Sequence, residues 1–227
     1  MNNLSLSQKQ IILGGLLGDS SFNKERNCVT FSHSKKQLEY LQWKYNYFNI
    51  NSNINSVYNT WNKNKYLRYY FVITKKYLEN DFILFLKKNL FSNEGRKKIS
   101  LKYLNELDPL GLAVWWMDDG NISITKDGGN RYGKLSTHCF NYEENILIQK
   151  YFKRKWNIDV SIKQEKEKYF IRIKTSELKK LIKIIYPYVI QIPSMIYKVD
   201  LKYKYIGSVG EDFKDIYTYI EEKKISI

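Results

Sequence analysis

The sequence predicts an α+β fold built as a pseudo-twofold pair of αββαββα halves, and three observations carry that expectation. The first is a motif met twice. Ile12-Leu13-Gly14-Gly15-Leu16-Leu17-Gly18-Asp19-Ser20 and Leu112-Ala113-Val114-Trp115-Trp116-Met117-Asp118-Asp119-Gly120 are apolar runs ending in an acid, with Asp19 and Asp119 at the same place in each. The second is the order of periodicities in each half, which from the motif helix on reads helix, two strands, helix, two strands, helix. The third is a set of local echoes. Thr30-Phe31-Ser32-His33-Ser34 resembles Leu135-Ser136-Thr137-His138-Cys139, Ile73-Thr74 resembles Lys174-Thr175, and Lys97 stands to Lys198 at nearly the interval that separates the two acids. The halves are placed at 1–100 and 101–206, and the tail 207–227 has no counterpart in the first half.

Taken in order, Ser7 is a plausible N-cap for a first helix over 8–19. Short strands follow at 20–22 and 28–33 across the polar loop Asn23-Lys24-Glu25-Arg26-Asn27. A helix over 36–48 carries Leu38, Leu41, Tyr45 and Phe48 at helical spacing. Strands at 54–61 and 66–74 flank Asn62-Lys63-Asn64-Lys65, and in the second of them Leu67, Tyr69, Phe71 and Ile73 alternate with Tyr66, Arg68, Tyr70 and Val72. One set should pack inward and the other outward. A helix over 77–91 and a basic loop, Gly95-Arg96-Lys97-Lys98, close the half.

After a short helix over 101–106, Asp108 is the expected N-cap of the second motif helix, with Pro109 at its first position. Strands are expected at 121–126 and 131–139 across Asp127-Gly128-Gly129-Asn130, then a helix at 142–156, strands at 158–164 and 168–174, and a helix at 176–186. In the last strand Tyr169, Ile171 and Ile173 should face the core while Lys168, Arg172 and Lys174 face away.

A helix apolar on nearly every face must be buried, yet each motif ends in a carboxylate where the helix dipole is negative. The cost falls if the two helices lie side by side and their acids converge on a divalent cation. Gly14 and Gly18, one turn apart, and Ala113, one turn before Met117, offer stripes for close approach.

Lys and Arg number 38 against 23 acids, a net charge of +15. That excess points to a polyanionic partner, nucleic acid ahead of membrane, because no apolar run approaches the ~20 residues of a span. Twenty Tyr interleaved with basic residues suit a surface meeting sugars, phosphates and bases. Two cysteines, Cys28 and Cys139, give neither a disulfide framework nor metal-ligand spacing. The N-terminus lacks the layout of a signal or transit peptide. The protein is therefore expected to act where it is made, in an organelle matrix such as the mitochondrion or in a bacterial or phage-infected cytoplasm, and not to be secreted.

At these residues the chain resembles the LAGLIDADG homing endonucleases, in the single-chain, two-motif form of the yeast mitochondrial intron-encoded type. LAVWWMDDG matches at its Leu-Ala and its closing Asp-Gly, and ILGGLLGDS keeps the glycine at the third place and the acid at the eighth. Asp118 stands where the family usually has a small residue. The resemblance spans roughly 8–205, and it implies a monomer whose eight strands form two antiparallel, saddle-shaped sheets over double-stranded DNA. It implies Mg²⁺ held by Asp19 and Asp119 with the backbone carbonyls of Gly18 and Asp118, Mn²⁺ substituting and Ca²⁺ binding without cleavage.

Lys97 and Lys198 would sit beside the metal, with Arg96 or Lys98 open as the first-half alternative. DNA contacts are expected from Arg68, Tyr70, Lys134, His138, Lys163, Arg172 and Lys174. His33 and His138 are placed at strand ends near the DNA, without a catalytic role. The implied activity is a double-strand break in a long asymmetric target, promoting homing of an intron or mobile element. The alternatives are an intron-RNA maturase and a non-catalytic DNA-binding regulator.

Overall fold

Two helices that are apolar all round lie at the centre of the computed structural model, which describes residues 4–50, 52–61, 64–92, 94–124 and 131–201. The expected turn 127–130, the end of the strand before it, Asn62-Lys63 and the tail 207–227 lie outside the described residues.

Helix α1 spans Leu6–Leu17 and begins earlier than expected. Ser5, not Ser7, is the N-cap, because Gln8 three residues on completes a capping box. Ser5 Oγ accepts from the Gln8 amide at 3.2 Å and Gln8 Oε1 from the Ser5 amide at 2.8 Å. After it come β1 (Ser21–Asn23), β2 (Cys28–Ser34), α2 (Leu38–Asn46), β3 (Asn55–Trp61), β4 (Asn64–Ile73), α3 (Asn80–Leu90) and α4 (Leu101–Glu106). The helical ends expected at 36 and 77 are 3₁₀ turns, Lys35–Gln37 and Lys75–Tyr77, that swing the chain off the sheet.

Helix α5 (Pro109–Asp119) starts as its sequence predicts. Asp108 Oδ1 accepts from the amides of Leu110 and Gly111 at 2.8 and 3.0 Å, and Pro109 takes a position whose N–H would have no partner. Then follow β5 (Gly120–Ile124), β6 (Arg131–Leu135), α6 (Tyr142–Trp156), β7 (Val160–Glu165), β8 (Lys168–Lys174) and α7 (Thr175–Val189). Strand β6 stops at Leu135 rather than 139. The Ser136 amide still donates to the Asp119 carbonyl at 3.0 Å, in register with the Gly120–Leu135 pair, and then a tight turn from Thr137 to Phe140 carries the chain away to the α6 cap. Helix α7 runs past 186 through Pro187, because Val189 in its last turn is fully buried. A 3₁₀ helix, Pro193–Lys198, follows that the periodicity does not signal.

The strands form two four-stranded antiparallel sheets in matching order, β1-β2-β4-β3 and β5-β6-β8-β7. Phe31 pairs with Phe71 in one and Leu135 with Ile171 in the other, so the halves share a register. The inner faces carry Phe22, Val29, Phe31, Phe71 and Ile73, and Leu135, Ile171 and Ile173, all buried. Among the described residues no helix is long and apolar enough to cross a membrane.

Candidate functional site

The site is built where α1 and α5 touch. A Cβ on Gly14 would lie 2.2 Å from the Gly111 carbonyl oxygen and 2.9 Å from Val114 Cβ. One on Gly18 would lie 2.3 Å from Asp118 Cβ, and one on Gly111 2.4 Å from Gln10 Oε1. Gly14 and Gly18 thus form the expected stripe on α1. On α5 the facing residues are Gly111, Val114 and Asp118, which share a helical face; Ala113 is buried outside that stripe. Gln10 pins the crossing by donating to the Glu106 carbonyl at 2.7 Å and accepting from the Asp108 amide at 2.8 Å.

This contact brings the two motif ends together. Burial, then the neighbouring charge of Asp118, pushes the Asp19 carboxyl up to about 6. Asp119 is pushed up to about 7 by burial, by Asp118 and by Asp19 itself. Two carboxyls whose ionisation is resisted by burial and by the Asp118 charge offer hard oxygens whose anionic form a divalent cation would favour.

Asp118 is engaged otherwise. Its Oδ1 accepts from Lys44 Nζ at 2.8 Å and its Oδ2 from the Asp19 amide at 3.2 Å, with both ionic side chains wholly buried. Lys44 also lies 3.1 Å from His33 Nε2, over the Tyr40 ring at 4.1 Å. His33 Nδ1 is 3.6 Å from Asp19 Oδ2, and burial followed by the Lys44 charge lowers the imidazole to about 3, so it is neutral near pH 7. Donor atoms of Asp19, His33 and Asp118 lie within 4.8 Å of one another. The Lys44 ammonium already fills the Asp118 and His33 positions of that trio and repels a second cation there.

Lys44 is missing from the sequence reading, although a signal exists. It lies three residues after Leu41 and four before Phe48, on the face of α2 that must be buried. His33, read as a strand end near DNA, is instead 4% exposed and under the sheet.

The lysines flank the acids. Lys97 Nζ donates to the Leu17 carbonyl at the end of α1, at 3.3 Å. The alternative Arg96 is committed elsewhere, in a two-pronged bond to Glu144 of α6 at 2.9 and 3.0 Å. Lys198 is buried, its Nζ donating to the Gly120 carbonyl at 2.7 Å while its own carbonyl accepts from Trp116 Nε1 at 2.8 Å. Burial lowers the Lys198 amine.

The outer sheet faces carry the remaining candidates. In the second sheet Lys134 pairs with Arg172, and Lys163 and Lys174 share that face with them. Arg172 lies 4.4 Å over the Tyr132 ring. Lys134 is bonded to Glu165 at 2.7 Å, and His138 lies in the turn after β6, 3.3 Å from the same carboxylate. In the first sheet Tyr70 and Arg68 face outward, and the Arg68 guanidinium bonds the Ser32 hydroxyl.

Paired helices with terminal acids, set between two matching four-stranded sheets, define a class. The chain matches the LAGLIDADG DNA endonuclease family over residues 9–181 and belongs to it. It is 27% identical over 224 residues to Protein RecA of Mycolicibacterium chitae, covering 92% of this chain and 50% of that one. It is 28% identical to the cytochrome b mRNA maturase bI2 of Saccharomyces cerevisiae, covering 88% of this chain and 49% of that one. The chain thus spans about half the length of these relatives. It is 34% identical over 99 residues to a probable intron-encoded DNA endonuclease 3 of Mycosarcoma maydis, 44% of this chain and 68% of that one. The homing endonuclease I-WcaI, solved bound to its DNA recognition sequence, has the same fold, with a TM-score of 0.74, 24% identity and 88% of each chain covered.

Proposed function

We propose that this chain is a site-specific endonuclease that makes a double-strand break in a long, asymmetric DNA target and so promotes homing of an intron or mobile element. The observation that carries the reading is the close crossing of α1 and α5, which sets the motif ends bearing Asp19 and Asp119 side by side, with the Asp19 charge felt at Asp119 and with Lys97 and Lys198 bonded to the neighbouring backbone.

Asp19 and Asp119, with the carbonyls of Gly18 and Asp118, would hold Mg²⁺. The donor set fits: all are hard oxygens, and both carboxylates are held above their ordinary range by burial. A bound divalent ion supplies a more acidic water and neutralises charge on the leaving oxygen. Lys97 and Lys198, held by backbone carbonyls near the acids, stabilise negative charge developing on phosphate oxygens. The sheets bind the duplex, with Lys163, Arg172 and Lys174 neutralising phosphates, and Arg68 and Tyr70 reaching groups in the groove.

The likeness to a yeast maturase supports a second reading, assistance to intron RNA splicing on the same fold. One experiment separates them. Selection of cleaved sites from a random DNA library with the wild-type protein and Mg²⁺ should yield one long sequence cut on both strands. Asp19→Asn and Asp119→Asn should each lose cutting. Normal cutting by either variant would remove the metal assignment, and no cut sequence together with faster intron splicing would favour the maturase.

A further inference from the structure

We propose that Lys44 and Asp118 are positioning residues that lock Asp19 in place on one side of the pseudo-twofold only, making the two strand-cutting sites inequivalent. The inference rests on the endonuclease reading and deepens it.

The asymmetry starts in the helices. Asp119 is the last residue of α5, so its amide lies within a helix. Helix α1 ends at Leu17, and Asp19 lies two residues beyond, where its amide needs another partner. Asp118 Oδ2 supplies that partner at 3.2 Å. An anion reaching across a buried helix crossing needs a countercharge, and Lys44 provides it at 2.8 Å from Oδ1, with neither side chain exposed. His33, between Lys44 and the Asp19 carboxylate at 3.1 and 3.6 Å, abuts the same acid from beneath the sheet. Lys44 of α2, His33 of β2 and the Asp19 amide after α1 therefore converge on the Asp118 carboxylate of α5.

Among the described residues, the other half has neither the acid nor the imidazole of this network. The motif counterpart of Asp118 is Gly18, and a Cβ there would lie 2.3 Å from Asp118 Cβ, so a second acid could not be accommodated. By strand register the counterpart of His33 is Thr137. Its hydroxyl donates to Asn145 Oδ1 at 2.6 Å, a neutral pair in place of an ionic one. One acid is clamped by a buried lysine, and its mate is held by a helix end.

The test replaces the pair with apolar residues of similar shape, Lys44→Met with Asp118→Leu. Removing both charges together leaves no unpaired buried charge, so the variant should regain most of the Tm that either single substitution loses, short of the cost of the Asp19 amide's lost acceptor. Two readouts then go beyond stability. The Asp19 amide proton, downfield in the wild type because it bonds a carboxylate, should move upfield. On a duplex selected for cleavage, single-turnover rates measured separately for each strand should show their ratio changing roughly tenfold or more, with DNA affinity in EDTA unaltered.

A double variant with restored Tm and an unchanged strand ratio would overturn the proposal and leave a structural ion pair. Should the double variant not fold, the near-isosteric Asp118→Asn is measured the same way. An unmoved Asp19 amide and an unchanged ratio there would overturn it equally. If the wild type cuts no DNA, the endonuclease reading fails, and the amide shift alone still decides whether Asp118 holds Asp19.

Discussion

Gly14→Ala tests the geometry on which the site depends. The added methyl would sit 2.2 Å from the Gly111 carbonyl oxygen, where ordinary contact begins at 3.4 Å. The obstacle is backbone, so no side-chain rotation relieves it, and α1 and α5 must separate by about 1 Å. Val114 Cβ, at 2.9 Å, closes the sideways escape. Overpacking of this kind costs about 3 kcal/mol, the upper part of the usual range. With a urea slope of about 2–3 kcal/mol/M for a chain of this size, the unfolding midpoint should fall by roughly 1 M. The same separation parts Gly18 from Asp118 and displaces the two acids, so cleavage should drop by roughly a hundredfold even in the folded fraction. A midpoint within about 0.2 M of wild type and normal cleavage would refute the close crossing.

Two further outcomes follow from charge. Asp19 and Asp119 bind protons more readily folded than unfolded, their carboxyls standing near 6 and 7 against an ordinary value of 3.8. The folded state therefore carries more protons between pH 4 and 7, and without divalent ions stability should fall as pH rises through that window. Asp119→Asn should remove part of this slope and raise the Tm at pH 7.5 while abolishing cutting; a lower Tm would contradict the electrostatics. Positive charge on the outer faces is uneven, with Lys134, Lys163, Lys168, Arg172 and Lys174 on the second sheet against Arg68 on the first, among the described residues. Lys163→Ala with Lys174→Ala should therefore reduce the slope of log affinity against log salt by about 2, one phosphate contact each, and an unchanged slope would place DNA elsewhere.

Much of the architecture was legible because its signals are local. The Asp108-Pro109 start of α5, the α6 boundaries and the inward set Tyr69, Phe71 and Ile73 follow from capping and alternation that no distant contact overrides, whereas Leu67 lies beyond the edge of the core. That Asp19, Asp119, Lys97 and Lys198 would lie about the ends of α1 and α5 was legible from repetition, since a twofold relation forces repeated residues into matched places. What escaped the sequence depends on tertiary contact. Lys44 looks like a surface lysine until α2 packs its face inward against β2. Asp118 reads as a mere neighbour of Asp119 until Gly18 is seen to leave room for it, and β6 stops short because the chain turns from Thr137 to Phe140 into the α6 cap.

The Arg96–Glu144 bond bears on how such a protein can be rebuilt. Arg96 closes the first half, Glu144 belongs to the first turn of α6 in the second, and Glu144 also receives the Asn141 amide at 2.8 Å within its own cap. The loop that presents Lys97 is thus anchored by the opposite half. Trp43 reaches across in the same way to Gln191 at 3.1 Å, and Glu39 to the Ser194 amide at 2.9 Å. Halves exchanged between relatives to make hybrid specificities would have to travel with these cross-seam partners, or the graft would preserve each sheet's outer face while misplacing the lysine beside the end of α1.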